Sequence, residues 1–202
     1  MAKAKKHSTV IDMTAMSDVT VLLLTFFMLT STFLPKEPVQ VQAPSSVMEI
    51  KVPDHNVMSI LVDLQGHVFL NIDPASVRLG ALDKMAEEYG ITFNDKQKKA
   101  FVEQPFIGTP MNRLPGLLDL PMLEQDAAMK QYGIPCDSLN NQLARWILNV
   151  RAIDEDRELK ITIKADQATP YPFVEKVMKN LVKIKENRYS LITVLKGAPE
   201  GF

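Results

Sequence analysis

"DVTVLLLTFFML", Asp18 to Leu29, is an apolar run with a carboxylate at its mouth. Between Met13 and Leu34, Asp18 is the only charged residue. At ~1.5 Å per residue, a helix over 13–34 reaches about 33 Å, the depth of a bilayer's hydrocarbon core. Two plainer readings compete. A cleaved signal peptide would show the same basic start and apolar middle, but it should end in small residues, and here "TSTFLPKEP" (Thr30–Pro38) comes next. A core helix of a soluble protein would seldom be apolar on nearly every face. A retained transmembrane helix fits best. Lys3, Lys5 and Lys6 precede it and no Lys or Arg occurs again until Lys36, so the positive-inside rule puts the N-terminus in the cytoplasm and exports the chain beyond Leu34.

An ionised Asp near mid-helix costs ~2.5–3.5 kcal/mol on insertion scales, and protonation relieves that cost. A carboxyl group so placed is suited to take up and release a proton. At ~100° per residue, Thr14, Thr25 and Thr32 fall within about 40° of Asp18, forming a polar stripe that needs a partner or water. The alternatives stay open here. Asp18 at the interface would be a solvated or paired acid, Asp12 an interfacial or capping one. Thr14, Thr20 and Thr25 could each bond a carbonyl one turn back.

The chain's 202 residues, 46% apolar and 23% charged, suit one modest domain plus an appendage, and a net charge of −1 gives no overall basicity for nucleic acid. One cysteine, Cys136, precludes an internal disulfide and reads as a small buried residue. His55 and His67 straddle a strand-like run without a matching carboxylate or Cys at ligand spacing, so no metal site and no cofactor is expected. No nucleophile elbow or phosphate loop occurs. The protein does not read as an enzyme. Asp166, at a strand end after "IKA", reads as a cap.

Beyond the apolar run, Pro35, Pro38, Pro44 and Pro53 favour an extended linker. Val57–Val62 and His67–Leu70 read as strands around a Gln65-Gly66 turn. Asp73-Pro74 reads as a helix start, cap then proline, and Gly90 as its stop. Asp95–Glu103 and Ser138–Val150 read as helices, the second with Leu139, Leu143, Trp146, Ile147 and Val150 on one face for core packing or for docking. Leu159–Ala165 alternates as a strand, Thr169-Pro170 opens a helix with Val174, Val177, Met178, Leu181 and Ile184 inward, and Ser190–Leu195 closes as a strand. Strand, helix, strand implies a parallel pair at that step.

"STVIDMTAMSDVTVLLLTFFMLTSTF" (Ser8–Phe33) resembles the N-terminal segment of the ExbD/TolR family, with Thr14, Asp18 and Val19 matching its N-T-P-x-I-D-V-type start. Ala15 stands where proline is usual, Asp12 where asparagine is and Ser17 where isoleucine is, which alters the helix entry and leaves the acid. "VQVQAPSS" (Val39–Ser46) resembles the family's extended V-x-V-x-L-P segment, with Ala43 for leucine. "VMSILVDLQGHVFLNIDP" (Val57–Pro74) and "LKITIKADQATPYPFVEKVMKNLVKI" (Leu159–Ile184) resemble the two halves of its periplasmic domain. Residues 80–155 have no counterpart recognised in shorter members.

The expected fold is therefore α/β: a single N-terminal transmembrane helix, a proline-rich linker, and a two-layer α/β periplasmic domain with a mostly helical central insertion. The expected boundaries are a cytoplasmic tail over 1–12, the membrane helix over 13–34, the linker over 35–56 and the domain over 57–202, with the insertion at about 80–155. The resemblance implies a bacterial inner-membrane subunit that transduces the proton motive force through Asp18. It implies a ring of ExbB/TolQ-like subunits around a homodimeric pair of such helices, and exported domains engaging a TonB-like protein for outer-membrane import. TolR-like envelope maintenance is the nearest alternative. A different class is a tethered periplasmic binding module in which Asp18 only fixes helix register. Val39, Val41 and Pro44 mark a segment able to add as a strand, to this chain or to a partner.

Overall fold

The computed structural model describes residues 13–31, 45–46, 56–137, 140–154, 158–192 and 194–195. The chain divides into two compact units, Met1–Pro35 and Lys36–Phe202. The first carries α1 (Met13–Thr30), whose 18 residues are apolar enough to cross a membrane and none of which is buried. At ~1.5 Å per residue it is about 27 Å long. Its hydroxyls bond their own backbone: Ser17 donates to the Met13 carbonyl at 2.7 Å and Thr30 to that of Phe26 at 2.8 Å. In lipid such back-bonding spares each hydroxyl an external partner.

The second unit opens with β1 (Ser45–Ser46) and continues with β2 (Val57–Val62), β3 (Val68–Ile72), α2 (Ala75–Tyr89), α3 (Asp95–Glu103) and β4 (Phe106–Ile107). Then come α4 (Leu114–Leu118), α5 (Met122–Met129), α6 (Gln142–Arg151), β5 (Lys160–Ala165), α7 (Tyr171–Lys183), β6 (Tyr189–Leu191) and β7 (Val194–Leu195). Five strands form one mixed sheet in the order β4-β3-β2-β5-β6. The β2–β3 hairpin is antiparallel with Ile60 opposite Leu70, while β5 runs parallel to β2 with Ile163 opposite Ile60. β6 lies parallel to β5, as the strand–helix–strand order predicts.

Period-2 alternation sends Met58, Ile60, Val62, Ile161 and Ile163 into one core with Leu82 and Met85 of α2, Leu143, Trp146, Ile147 and Val150 of α6, and Val177 and Leu181 of α7. The apolar face of α6 is thus core, since all four of those side chains are buried. On the other face Leu61 and Phe69 meet Phe106 and Met129, so α5 covers part of the sheet's back. α2 stops at Gly90, which adopts φ 64, a left-handed value a side chain disfavours, while Ile91 N–H closes on the Ala86 carbonyl. α3 starts with a reciprocal box in which Asn94 accepts from Gln97 N–H and the Gln97 side chain accepts from Asn94 N–H.

Four local expectations are corrected. Asp73 does not cap α2: its N–H extends the hairpin ladder to the Val57 carbonyl, its bond to Pro74 is cis, and Pro74 itself is the N-cap. Thr169 does not cap α7, because its hydroxyl donates to the Asp63 carbonyl at 3.3 Å. α6 begins at Gln142, because Asn141 bridges to Cys136 and its side chain accepts from Ala144 N–H as the N-cap; Ser138 and Leu139 lie outside the described residues. The closing strand is two strands: β6 pairs with β5, and β7 leaves the main sheet to pair with β1.

Candidate functional site

Asp18 stands in the second turn of α1, with Thr14 one turn before it and Thr25 about two turns after it on the same face. The Thr25 hydroxyl lies 3.0 Å from the Val21 carbonyl and 2.9 Å from that of Leu22, and Thr20 makes the same pair of contacts to Met16 at 3.1 Å and Ser17 at 2.8 Å. A hydroxyl has one proton, and here the helix backbone takes it. Toward the face of Asp18, Thr25 therefore offers only lone pairs, which accept from a protonated carboxyl group or a water and repel a carboxylate. Seven residues separate the two, a rise of about 10 Å, which is beyond direct hydrogen-bond reach. Thr32, Val39, Val41 and Pro44 lie outside the described residues, as do Asp12 and His55.

Immediately after Pro44, however, β1 pairs in parallel with β7, Ser45 opposite Val194 and Ser46 opposite Leu195. The end of the 39–46 segment is thereby tied to the last described strand of the same unit.

The sequence pattern places no carboxylate at metal-ligand spacing from His67, and the structure gives it a hydrogen-bond partner instead. Asp63, with a side chain 3% exposed, accepts from His67 Nδ1 at 2.9 Å, from His67 N–H at 2.7 Å and from Gln65 N–H at 2.9 Å. Leu64 and Gln65 form the turn, one residue earlier than expected, and Gly66 follows at φ 84, so the chain returns within four residues, the spacing that could have revealed the pair. The loop after α5 closes on this hairpin: Gly133, at φ 64, runs so near that a Cβ there would sit 2.8 Å from His67 Cβ. Ile134 N–H reaches the Val68 carbonyl at 2.7 Å. Asp166 folds back locally, accepting from Ala168 N–H at 2.9 Å. Among the described residues no group of three His, Cys, Asp or Glu side chains is placed to hold a metal.

Two cations, Arg78 buried and Arg151 nearly so, organise the rest. Arg151 forks onto both Glu186 oxygens at 3.1 and 3.2 Å and donates to Asp154 at 2.8 Å and the Leu159 carbonyl at 2.9 Å, binding α6 to the start of β5 and the approach to β6. Arg78 of α2 donates to the Val102 and Pro105 carbonyls, closing the C-terminal end of α3; burial lowers its pKa and Asp73 opposes that. Burial likewise pushes the Cys136 thiol up, which keeps it protonated and unreactive.

The family model for biopolymer transport protein ExbD/TolR matches residues 4–195, a span that takes in α1 and every described element of the second unit. No curated protein and no solved structure matches the chain. The chain belongs to the ExbD/TolR family, whose members are membrane-anchored, non-enzymatic proteins that take part in energy transduction for biopolymer transport with membrane-associated partners.

Proposed function

We propose that this ExbD/TolR-family chain is the proton-responsive subunit of an inner-membrane motor, with Asp18 as the group that takes and gives the proton. In this reading α1 packs within a ring of ExbB/TolQ-like subunits beside a second copy of itself, and the second unit works in the periplasm on a TonB-like protein to drive outer-membrane import. The proposed extents remain a cytoplasmic tail over 1–12, a membrane segment over 13–34, a linker over 35–56 and a periplasmic domain over 57–202.

One observation carries it. Asp18 is the sole charge in a span whose hydroxyls Ser17, Thr20, Thr25 and Thr30 all donate to their own backbone. None of these four has a proton left to stabilise the ionised acid, so its charge depends on Thr14 and on what surrounds the helix, and neutralisation changes the helix's preference among surroundings. The electrical work available is ~2.3 kcal/mol per charge per 100 mV, enough to bias a packed helix between two arrangements.

Asp18→Asn keeps the hydrogen-bonding shape and removes the titration. It should assemble with its partners in normal amount and abolish transport that depends on the proton motive force. Wild-type transport in this variant would leave the tethered binding module as the correct reading. Loss of tolerance to envelope stress, with import intact, would assign the TolR-like role instead.

A further inference from the structure

We propose that the groove between α3 and the α4–α5 junction is a docking site for a segment of a partner protein that carries an apolar side chain next to a lysine or arginine. The groove, about 280 Å³, is lined by Lys96, Ala100 and Glu103 of α3 and, across from them, by Leu118, Asp119 and the run Leu120-Pro121-Met122. Its lip is apolar and open to solvent: Leu120 is 38% exposed, Met122 50% and Leu123 86%. Consecutive large apolar side chains at such exposure mark an interaction surface rather than ordinary surface scatter.

The lip is built, not loose. Buried Gln125 donates to the Leu120 carbonyl at 2.8 Å, and Gln97 donates to Asp119 Oδ1 at 3.1 Å. Arg113 lies over the Tyr132 ring at 4.5 Å, bracing the two ends of the α4–α5 hairpin. Arg78 fixes the other wall through the end of α3. A rigid apolar lip loses little conformational freedom when it is covered, which favours binding.

Charge selects the occupant. Glu103 and Asp119 flank the groove against one cation, Lys96, and Glu124 comes directly after Leu123 on the lip. Among the described residues neither Glu103 nor Glu124 forms an ion pair. An anionic bilayer surface is repelled by this rim. A second copy meeting the same patch across a two-fold axis would set acid against acid. An apolar side chain beside a cation satisfies both floor and rim. The site is separate from the proton step at Asp18, so each can fail without the other.

The test is a photo-crosslinking amino acid at position 123 of the full-length chain in its own membranes, with the adduct mapped by mass spectrometry. The expected product is a protein segment with an apolar residue adjacent to Lys or Arg, and Glu103→Lys with Glu124→Lys should cut its yield by about tenfold through reversed rim charge. Asp119→Asn, which keeps the oxygen that Gln97 uses, should lower it less. Adducts to lipid only, to a second copy, to a segment without a cation, no adduct, or a yield indifferent to charge reversal would each overturn the proposal.

Discussion

Asp63 and His67 close the β2–β3 hairpin side chain to side chain, carboxylate to Nδ1 at 2.9 Å, with Asp63 holding two backbone N–H groups as well. The same residue's carbonyl receives Thr169, so the turn is also bound to the approach of α7. Asp63→Ala strips a buried acceptor from three donors and should cost about 3 kcal/mol, whereas His67→Leu leaves the two backbone bonds and should cost about 1 kcal/mol. Urea unfolding followed by the fluorescence of Trp146, the chain's single tryptophan, gives both values. Equal effects of the two variants would refute the ranking.

Arg151, Asp154 and Glu186 make a nearly dry ion network, with side chains only 11%, 10% and 9% exposed. Arg151→Ala strands the buried Glu186 carboxylate and the nearly buried Asp154, and the expected loss is about 3 kcal/mol. Lys179→Ala breaks only the exposed pair with Glu175 and should change stability by less than about 0.5 kcal/mol. A small effect at Arg151 in the same unfolding assay would mean that water reaches those carboxylates.

Local physics makes the stops and faces legible. Gly90 is readable because left-handed backbone favours glycine, and Leu143, Trp146, Ile147 and Val150 because helical spacing puts them on one face. Three of the four corrected elements share one cause. Asp73, Thr169 and the end of β6 look locally like caps or continuous strand, yet each has its group claimed by a residue far along the chain: Val57, Asp63, and, for β7, Ser45 and Ser46. Such pairings leave no periodicity to read. The role of His67 escapes a search for metal-ligand spacing, because the three residues Leu64, Gln65 and Gly66 return it to Asp63. At the membrane segment Asp18 is legible by charge alone, and the backbone bonds of Thr20 and Thr25 by the helix's own rule.

Thr25 tests the acceptor role of the stripe. Thr25→Ser keeps the lone pairs and should transport at close to the wild-type rate. Thr25→Val removes them at little change in volume, and loss of one hydrogen bond of ~1 kcal/mol should slow transport about fivefold. The comparison is made on proton-dependent uptake at matched protein level. Complete loss in the valine variant with normal assembly would put Thr25 on the proton path itself.

The β1–β7 pair tests whether the linker is a strap or a tether. Ser46 and Leu195 are ladder partners, and neighbouring strands lie about 4.8 Å apart, inside the range a disulfide spans. Ser46→Cys with Leu195→Cys should therefore oxidise readily in the full chain, and Cys136, being buried, should not compete. In the sequence just upstream, Val39 and Val41 alternate with Gln40 and Gln42, so a strand there would carry the valines on one face and the glutamines on the other. If the pairing extends into that segment, Val41→Cys should also crosslink to an engineered cysteine in the domain, more weakly than position 46. A motor that pulls on the linker must change the lifetime of this pairing, so both yields should shift when Asp18→Asn is introduced, and locking the 46–195 pair should block transport until reductant is added. A flexible tether behaves otherwise. Equal yields in both backgrounds, or full function after 39–44 is replaced by Gly and Ser, would show that the strand pair merely anchors the end of a passive linker.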